Sequence, residues 1–180
     1  KISIFGMGYV GCVTAAIAAN EGHNVVGVDI NSNKVNMINS GISPIVEPKL
    51  QDLFSEAKLN GRLEATTDIR HAIDITSLSI VCVGTPSNED GSSDLSYVTK
   101  VSESIASELK NKVDNHTIMI RSTVPPGTVE ELIIPKFLGQ DNVNVCYNPE
   151  FLREGSAVDD YYSPPYIIAA VDSKESKNLI

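Results

Sequence analysis

The sequence predicts an α/β fold, a doubly wound and mostly parallel sheet in a single domain. Three observations predict it. Short apolar runs alternate with helical stretches along the chain. The first run turns through Gly6-Met7-Gly8-Tyr9-Val10-Gly11 into a helix rich in small residues, and the second ends on an acid, Asp29. Alternation with short connections suits parallel strands, because each strand must be returned to the same end of the sheet by a crossover.

The elements follow in order. Strands are expected at Ile2–Phe5, Val25–Val28, Leu63–Ala65, Ile80–Val83, Thr117–Ile120, Val143–Cys146 and Tyr166–Val171, each a short β-branched or apolar run. Helices are expected at Gly11–Glu21, Asn33–Ser40, Leu50–Leu59, Asp68–Ala72, Leu95–Lys110 and Thr128–Phe137. In the helix from Leu95, Val98, Val101, Ile105 and Leu109 recur at helical spacing, and Ser93-Asp94 offers a cap. Gly41–Gly61 reads as an insertion before the third strand, stiffened by Pro44 and Pro48. Ser173-Lys174-Glu175-Ser176 reads as the cap and first turn of a helix cut short at Ile180. The expectation is therefore one domain over residues 1–180, taken from a longer polypeptide.

The glycine turn describes a nucleotide site of the Rossmann kind. Gly6 permits a sharp strand-to-helix turn, Gly8 lets a pyrophosphate approach bare backbone, and Gly11 lets helix pack closely on strand. The helix N-terminus then offers free amides and the positive end of its dipole to the phosphates. Asp29, roughly 20 residues on, is placed to accept hydrogen bonds from a ribose. A carboxylate there repels a 2′-phosphate, and Ile30-Asn31-Ser32 supplies no arginine to receive one, so NAD is favoured over NADP. Lys34 is read equally as a ribose or pyrophosphate contact and as a solvated surface charge.

Composition limits the partners. A net charge of −9 offers little attraction to nucleic acid or anionic membrane. The uncharged stretch from Ile2 to Asn20 is long enough to suggest a targeting segment, but its spaced glycines fit a buried strand and helix better. The expected location is cytoplasmic. Cys12, Cys82 and Cys146 have no metal-ligand spacing and read as buried reduced thiols. His23, His71 and His116 show no arrangement for acid–base work.

In a doubly wound sheet, ligands collect beyond the carboxyl ends of the strands. Three segments fall there: Gly84-Thr85-Pro86-Ser87, Arg121-Ser122-Thr123-Val124-Pro125-Pro126-Gly127-Thr128 and Asn148-Pro149-Glu150-Phe151-Leu152-Arg153-Glu154-Gly155. Taken singly, the second is an ordinary helix start and the third a solvated ion-pair cluster. Their shared place beside the dinucleotide crevice favours function.

Together with Ser43-Pro44-Ile45-Val46-Glu47-Pro48, these segments resemble the amino-terminal NAD-binding domain of the UDP-glucose/GDP-mannose dehydrogenase family, in order and over nearly the whole chain. The resemblance implies a twofold oxidation of a nucleotide sugar at its primary alcohol, through an aldehyde, a cysteine-bound thiohemiacetal and a thioester that water cleaves. By position it makes Thr123 the residue that helps hold the water and sugar. Glu150 is the general base of thioester hydrolysis, and Glu154 lies near nicotinamide and sugar. Gly6, Met7, Gly8, Tyr9, Val10, Gly11, Asp29, Lys34, Gly84, Thr85, Pro86, Ser122, Thr123 and Glu154 contact the cofactor. Glu150, Phe151, Leu152, Arg153 and Glu154 face the substrate. The family's nucleophilic cysteine, central helix and nucleotide-sugar domain lie beyond Ile180, and none of Cys12, Cys82 and Cys146 matches that nucleophile. UDP-glucose and GDP-mannose both remain open as substrate, with a slight lean to GDP-mannose; family members dimerise through the helix beyond this region. Two other readings share the opening fingerprint: a non-catalytic NAD-sensing module, and a dehydrogenase of the β-hydroxyacid or 6-phosphogluconate type.

Overall fold

A computed structural model of the protein describes residues 1–171. The helix expected from Ser173 lies outside the described residues. Six strands form one sheet: β1 (Ile2–Phe5), β2 (Val25–Val28), β3 (Leu63–Thr66), β4 (Leu78–Val81), β5 (His116–Ile120) and β6 (Val143–Tyr147). Their order is β3-β2-β1-β4-β5-β6, and every neighbouring pair runs parallel. This is the doubly wound Rossmann arrangement, in which the chain reverses its direction of travel between β1 and β4. Both faces are covered by helices: α1 (Tyr9–Asn20), α2 (Ser32–Asn39), α3 (Leu50–Leu59), α4 (Ile69–Ile75), α5 (Ser96–Leu109) and α6 (Ala157–Tyr162).

The uncharged amino-terminal run has a structural cause. In α1 every residue from Gly11 to Ala19 is buried, because the helix lies between the sheet, α3 and α6. A helix covered on all sides is apolar on all sides. Val35, Ile38, Leu50, Phe54 and Ala57 join it in one core, while Ala72, Ile73, Val98, Ile105, Leu109, Ile133 and Phe137 build a second core against the opposite face. Caps appear where short polar residues precede helices. Asn31 accepts from the Asn33 amide at 3.0 Å, and Asp68 accepts from His71 at 3.1 Å. At α5 the cap position falls on Leu95, which offers no side-chain acceptor, and Asp94 one residue earlier accepts from the Ser96 amide at 2.9 Å.

The structure corrects four sequence expectations. β4 is Leu78–Val81 and not Ile80–Val83, because the Arg121 and Ser122 amides both turn to the Val81 carbonyl and the chain then leaves the ladder. Thr128–Phe137 is not one α-helix but a π turn at Val129–Ile133 followed by a 3-10 turn at Ile134–Phe137. Pro135 has no amide to continue an α-helical ladder. Tyr166–Val171 is not a strand: only Ala170 pairs, antiparallel to Tyr147. An apolar run makes a strand only where a sheet edge meets it in register. The short helix α6 was not expected, since six residues of mixed polarity show no helical period.

Beneath the amino-terminal ends of the strands runs a buried polar chain. Ser3 Oγ meets Ser79 Oγ at 2.8 Å and Thr76 Oγ1 at 3.1 Å, and Ser79 Oγ meets His116 Nε2 at 2.8 Å. Burial pushes the His116 imidazole down to about 4, and the Lys112 charge adds to this, against a smaller opposing effect of the Thr76 carbonyl. Between pH 6.5 and 4 the unfolded chain binds a proton there that the folded chain does not. Stability from this group is full above pH 6.5 and falls as the pH drops, by about 3 kcal/mol at pH 4. Denaturant midpoints measured across this range are expected to fall more steeply in the native sequence than in His116→Gln. Parallel curves would remove His116 from the acid sensitivity.

Candidate functional site

The site begins where β1 ends. Gly6 has a φ of +92°, and a Cβ there would lie 2.9 Å from Val83 Cγ1 and 3.0 Å from the Cys82 carbonyl, beyond the end of β4. A Cβ on Gly11 would lie 1.9 Å from the Gly6 carbonyl oxygen. Gly8 is different: a Cβ there would meet nothing within 4 Å, so the space in front of it is open. α1 starts immediately after Gly8, with no side-chain cap and no acid in its first turn. Its leading amides are therefore left without a side-chain cap, next to that open space.

Met7 sends its side chain inward, fully buried over Gly27 of β2, where a Cβ would lie 2.9 Å from Met7 Sδ. Only its backbone belongs to the mouth of the turn. The Met7 amide donates to Asp29 Oδ2 at 2.8 Å, and the Asn31 amide donates to Asp29 Oδ1 at 2.9 Å. Lys34 Nζ donates to the Met7 carbonyl at 3.1 Å and lies 3.7 Å from Asp29. The acid thus fixes the turn as well as facing it, and Lys34 is a half-buried member of the site. Val10 is partly buried against the α1 core.

The β4 and β5 loops are tied together beside this turn. Thr85 Oγ1 donates to the Thr123 carbonyl at 2.7 Å. The buried Ser122 hydroxyl donates to the Val83 carbonyl at 2.7 Å. The Pro86 carbonyl accepts from the Asp94 amide at 2.7 Å, while Gly84 is exposed and unobstructed. Thr123 is also exposed. The two hydroxyls at Thr85 and Ser122 therefore set loop geometry.

The loop after β6 carries the acids. Glu150 Oε2 accepts from the Leu152 amide at 2.5 Å. Glu150, Phe151 and Leu152 line a cavity of about 350 Å³ that runs along α1 to Ile2, His23 and Leu78 and takes in no residue of the glycine turn, nor Asp29, Thr85 or Thr123. Arg121 Nη1 donates to Asn148 Oδ1 at 2.5 Å and its guanidinium sits 5.6 Å from the Tyr161 ring centre. Phe151 meets Tyr166 edge to face at 4.7 Å. Arg153 pairs with Asp160 of α6, its Nη2 lying 2.7 Å from Oδ1, and not with Glu150 or Glu154. Glu154 is exposed.

One residue absent from the expected set joins these parts. Glu47, 7% exposed, accepts from the Tyr9 hydroxyl, from the Gly155 amide at 2.8 Å and from the Ala157 amide at 2.8 Å. Burial raises its carboxyl, but the hydrogen bonds from Tyr9, Gly155, Ala157 and Val158 outweigh that and hold it below the ordinary carboxylate range. Burial, then the bond to Glu47, pushes the Tyr9 phenol up to about 12. The available signal was an acid flanked by Ile45, Val46 and Pro48, a costly thing to bury without partners.

All three cysteines are buried, and burial pushes Cys12 and Cys82 up to about 12. Neither is a thiolate near neutral pH, as a nucleophile must be. No helix among the described residues is long and apolar enough to cross a membrane.

Comparison with known proteins bears on the family and the fold. The model of the UDP-glucose/GDP-mannose dehydrogenase family, NAD binding domain, matches residues 1–180. The GDP-mannose 6-dehydrogenase of Azotobacter vinelandii is 46% identical over 186 residues, covering 99% of this chain and 43% of the relative. The UDP-glucose 6-dehydrogenase of Haloferax volcanii is 41% identical, covering 93% of this chain and 40% of the relative. Among solved structures, a ternary complex of GDP-mannose dehydrogenase from Pseudomonas aeruginosa superposes with a TM-score of 0.97 at 42% identity, over 99% of this chain and 42% of that one. The chain spans less than half the length of these relatives. It belongs to the UDP-glucose/GDP-mannose dehydrogenase family, whose NAD-binding domain model matches it over residues 1–180.

Proposed function

We propose that this chain is the cofactor-binding part of an NAD-dependent nucleotide-sugar 6-dehydrogenase that converts the sugar's primary alcohol to the acid. The observation that carries the reading is the gathering of Gly6–Gly11, Asp29, Lys34 and the Thr85, Thr123 and Glu150 loops at the carboxyl ends of β1, β2, β4, β5 and β6. The residues present fit a dinucleotide. Open space lies before Gly8, uncapped amides lead α1, and Asp29 presents oxygens with lone pairs to spare beside the backbone. When bound, NAD supplies the hydride acceptor for each of the two oxidations.

GDP-mannose is favoured as substrate over UDP-glucose. Relatives bearing the former name are 43% to 46% identical, against 41% and 38% for two UDP-glucose enzymes. The acid-forming chemistry needs a cysteine that this chain does not supply, so it belongs to the complete protein, read as a homodimer. In this reading Thr123 and Glu154 flank the sugar and Glu150 acts on water. The sensor reading is disfavoured by a buried carboxylate and two tied loops that build a second set of groups beyond the dinucleotide turn.

The test is a titration with reduced cofactors. NADH is expected to bind at least tenfold more tightly than NADPH, a difference of about 1.4 kcal/mol. In Asp29→Ala the ratio is expected to fall toward unity. The ratio is the proper readout, because losing the Met7 and Asn31 hydrogen bonds weakens both ligands alike. Equal affinities in the unmutated protein would refute the role of Asp29. Oxidation of GDP-mannose, but not UDP-glucose, by the complete protein checks the substrate.

A further inference from the structure

We infer that Glu47 is a positioning residue that sets the acid-bearing loop 148–155 against the dinucleotide turn, so that Glu150 and Glu154 are presented to whatever that turn holds. This inference rests on the proposed dehydrogenase reading. Glu47 belongs to neither part. It comes from the insertion between α2 and β3, and its carboxylate lies at the meeting of three segments remote in sequence.

On one side Glu47 takes the hydroxyl of Tyr9, the first residue of α1 and the neighbour of Gly8. On the other it takes the Gly155 and Ala157 amides, which close the acid-bearing loop and open α6. The Gly155 amide also reaches Tyr9 Oη at 3.0 Å, which completes a triangle between the two parts. A lid held only by exposed pairs, such as Lys49–Asp159 at 2.5 Å, has no such fixed geometry. A buried carboxylate held by the Tyr9 hydroxyl and several backbone amides does, because removing any donor leaves a charged acceptor short of partners.

Glutamine is the informative replacement. It keeps the volume but has one acceptor oxygen, so its amide nitrogen must face a donor at Gly155 or Ala157. In the complete protein, assayed below its melting transition, Glu47→Gln is expected to lower kcat at least tenfold while KM for NAD changes less than threefold. Amide exchange at Gly155 and Ala157 should accelerate at least tenfold. NADH should slow exchange at these two amides in the native sequence and fail to do so in the variant. Lys49→Ala, which cuts only the exposed pair nearby, should leave kcat within twofold. A folded Glu47→Gln with kcat within twofold, even with faster exchange, would reduce Glu47 to a purely structural role and overturn the inference.

Should Glu47→Gln not fold, Tyr9→Phe decides. It removes one donor and leaves both amides paired, and kcat must fall at least threefold with faster exchange at Gly155. No change in either would overturn the inference. A native protein that neither binds NADH nor oxidises a nucleotide sugar would instead refute the dehydrogenase reading.

Discussion

Gly11→Ala is expected to destabilise the protein by about 3 kcal/mol or more and to weaken NADH binding at least a hundredfold. The added carbon would lie 1.9 Å from the Gly6 carbonyl oxygen. That oxygen is backbone and cannot rotate away. Moving it means moving Gly6, whose amide is bonded to the Val28 carbonyl at 2.8 Å and whose own space is bounded by Val83. The turn must open or α1 must lift from the sheet, and nine consecutive buried residues of α1 lose packing if it lifts. Gly8→Ala provides the contrast. Nothing lies within 4 Å of its Cβ, and its φ of −84° suits an L-residue, so stability should change by less than about 1 kcal/mol. NADH affinity should still fall at least tenfold, because the methyl occupies space that a pyrophosphate needs. Chemical denaturation and NADH fluorescence on the two variants separate a glycine needed for folding from one needed for a ligand. Equal stability loss in both would sink the distinction, and undiminished NADH binding in Gly8→Ala would move the phosphate site elsewhere.

The same pair of glycines shows why some of this molecule is legible in its sequence. A glycine forced by close backbone approach leaves a mark at a fixed spacing, and so does a strand buried on both faces, such as Val25–Val28. A long amphipathic helix such as Ser96–Leu109 leaves its period. Other features depend on meetings that no local pattern encodes. Tyr166–Val171 looks like a strand, yet β6 offers it one bridge at Ala170. Asp29 reads as a ribose ligand but also holds the Met7 and Asn31 amides, an assignment that depends on how the Gly6–Gly8 turn folds back over β2. Arg153 reads as paired with its neighbouring acids or with substrate, whereas its partner, Asp160, lies on a helix too short to announce itself. Glu47 lay in plain view within a recognised segment. Its importance rests on Tyr9 and Gly155, far away along the chain, and only the fold brings those donors to it. Lys49 carries a φ of +68°, a conformation that favours glycine, and its side chain reaches Asp159 beside the same junction.

In the complete protein, Glu150→Gln is expected to stop turnover at the thioester while leaving both oxidations nearly intact. The proposed chemistry and the local geometry together lead to this outcome. Each oxidation transfers a hydride from the sugar carbon, and neither needs a base at the water site. Hydrolysis does, because water must lose a proton as its oxygen attacks the thioester carbonyl. Glu150, in the loop after β6, is one of the residues lining the cavity, its carboxylate oriented by the Leu152 amide at 2.5 Å. Glutamine keeps an acceptor for that amide, so the loop should hold and stability should change by less than about 1 kcal/mol. It has no basic oxygen to take the proton, and the loss should cost roughly 10²- to 10⁴-fold in the hydrolytic step. The visible consequence is a burst of two NADH per active site, formed at nearly the native rate, followed by slow steady-state release of product. Acid quenching during that slow phase should trap acylated protein. A mutation that merely disturbed the loop would slow the burst as well, because Glu154 and the Glu47 contact at Gly155 share that loop. A variant with native steady-state rate and no trapped acyl group would take Glu150 out of the hydrolytic step.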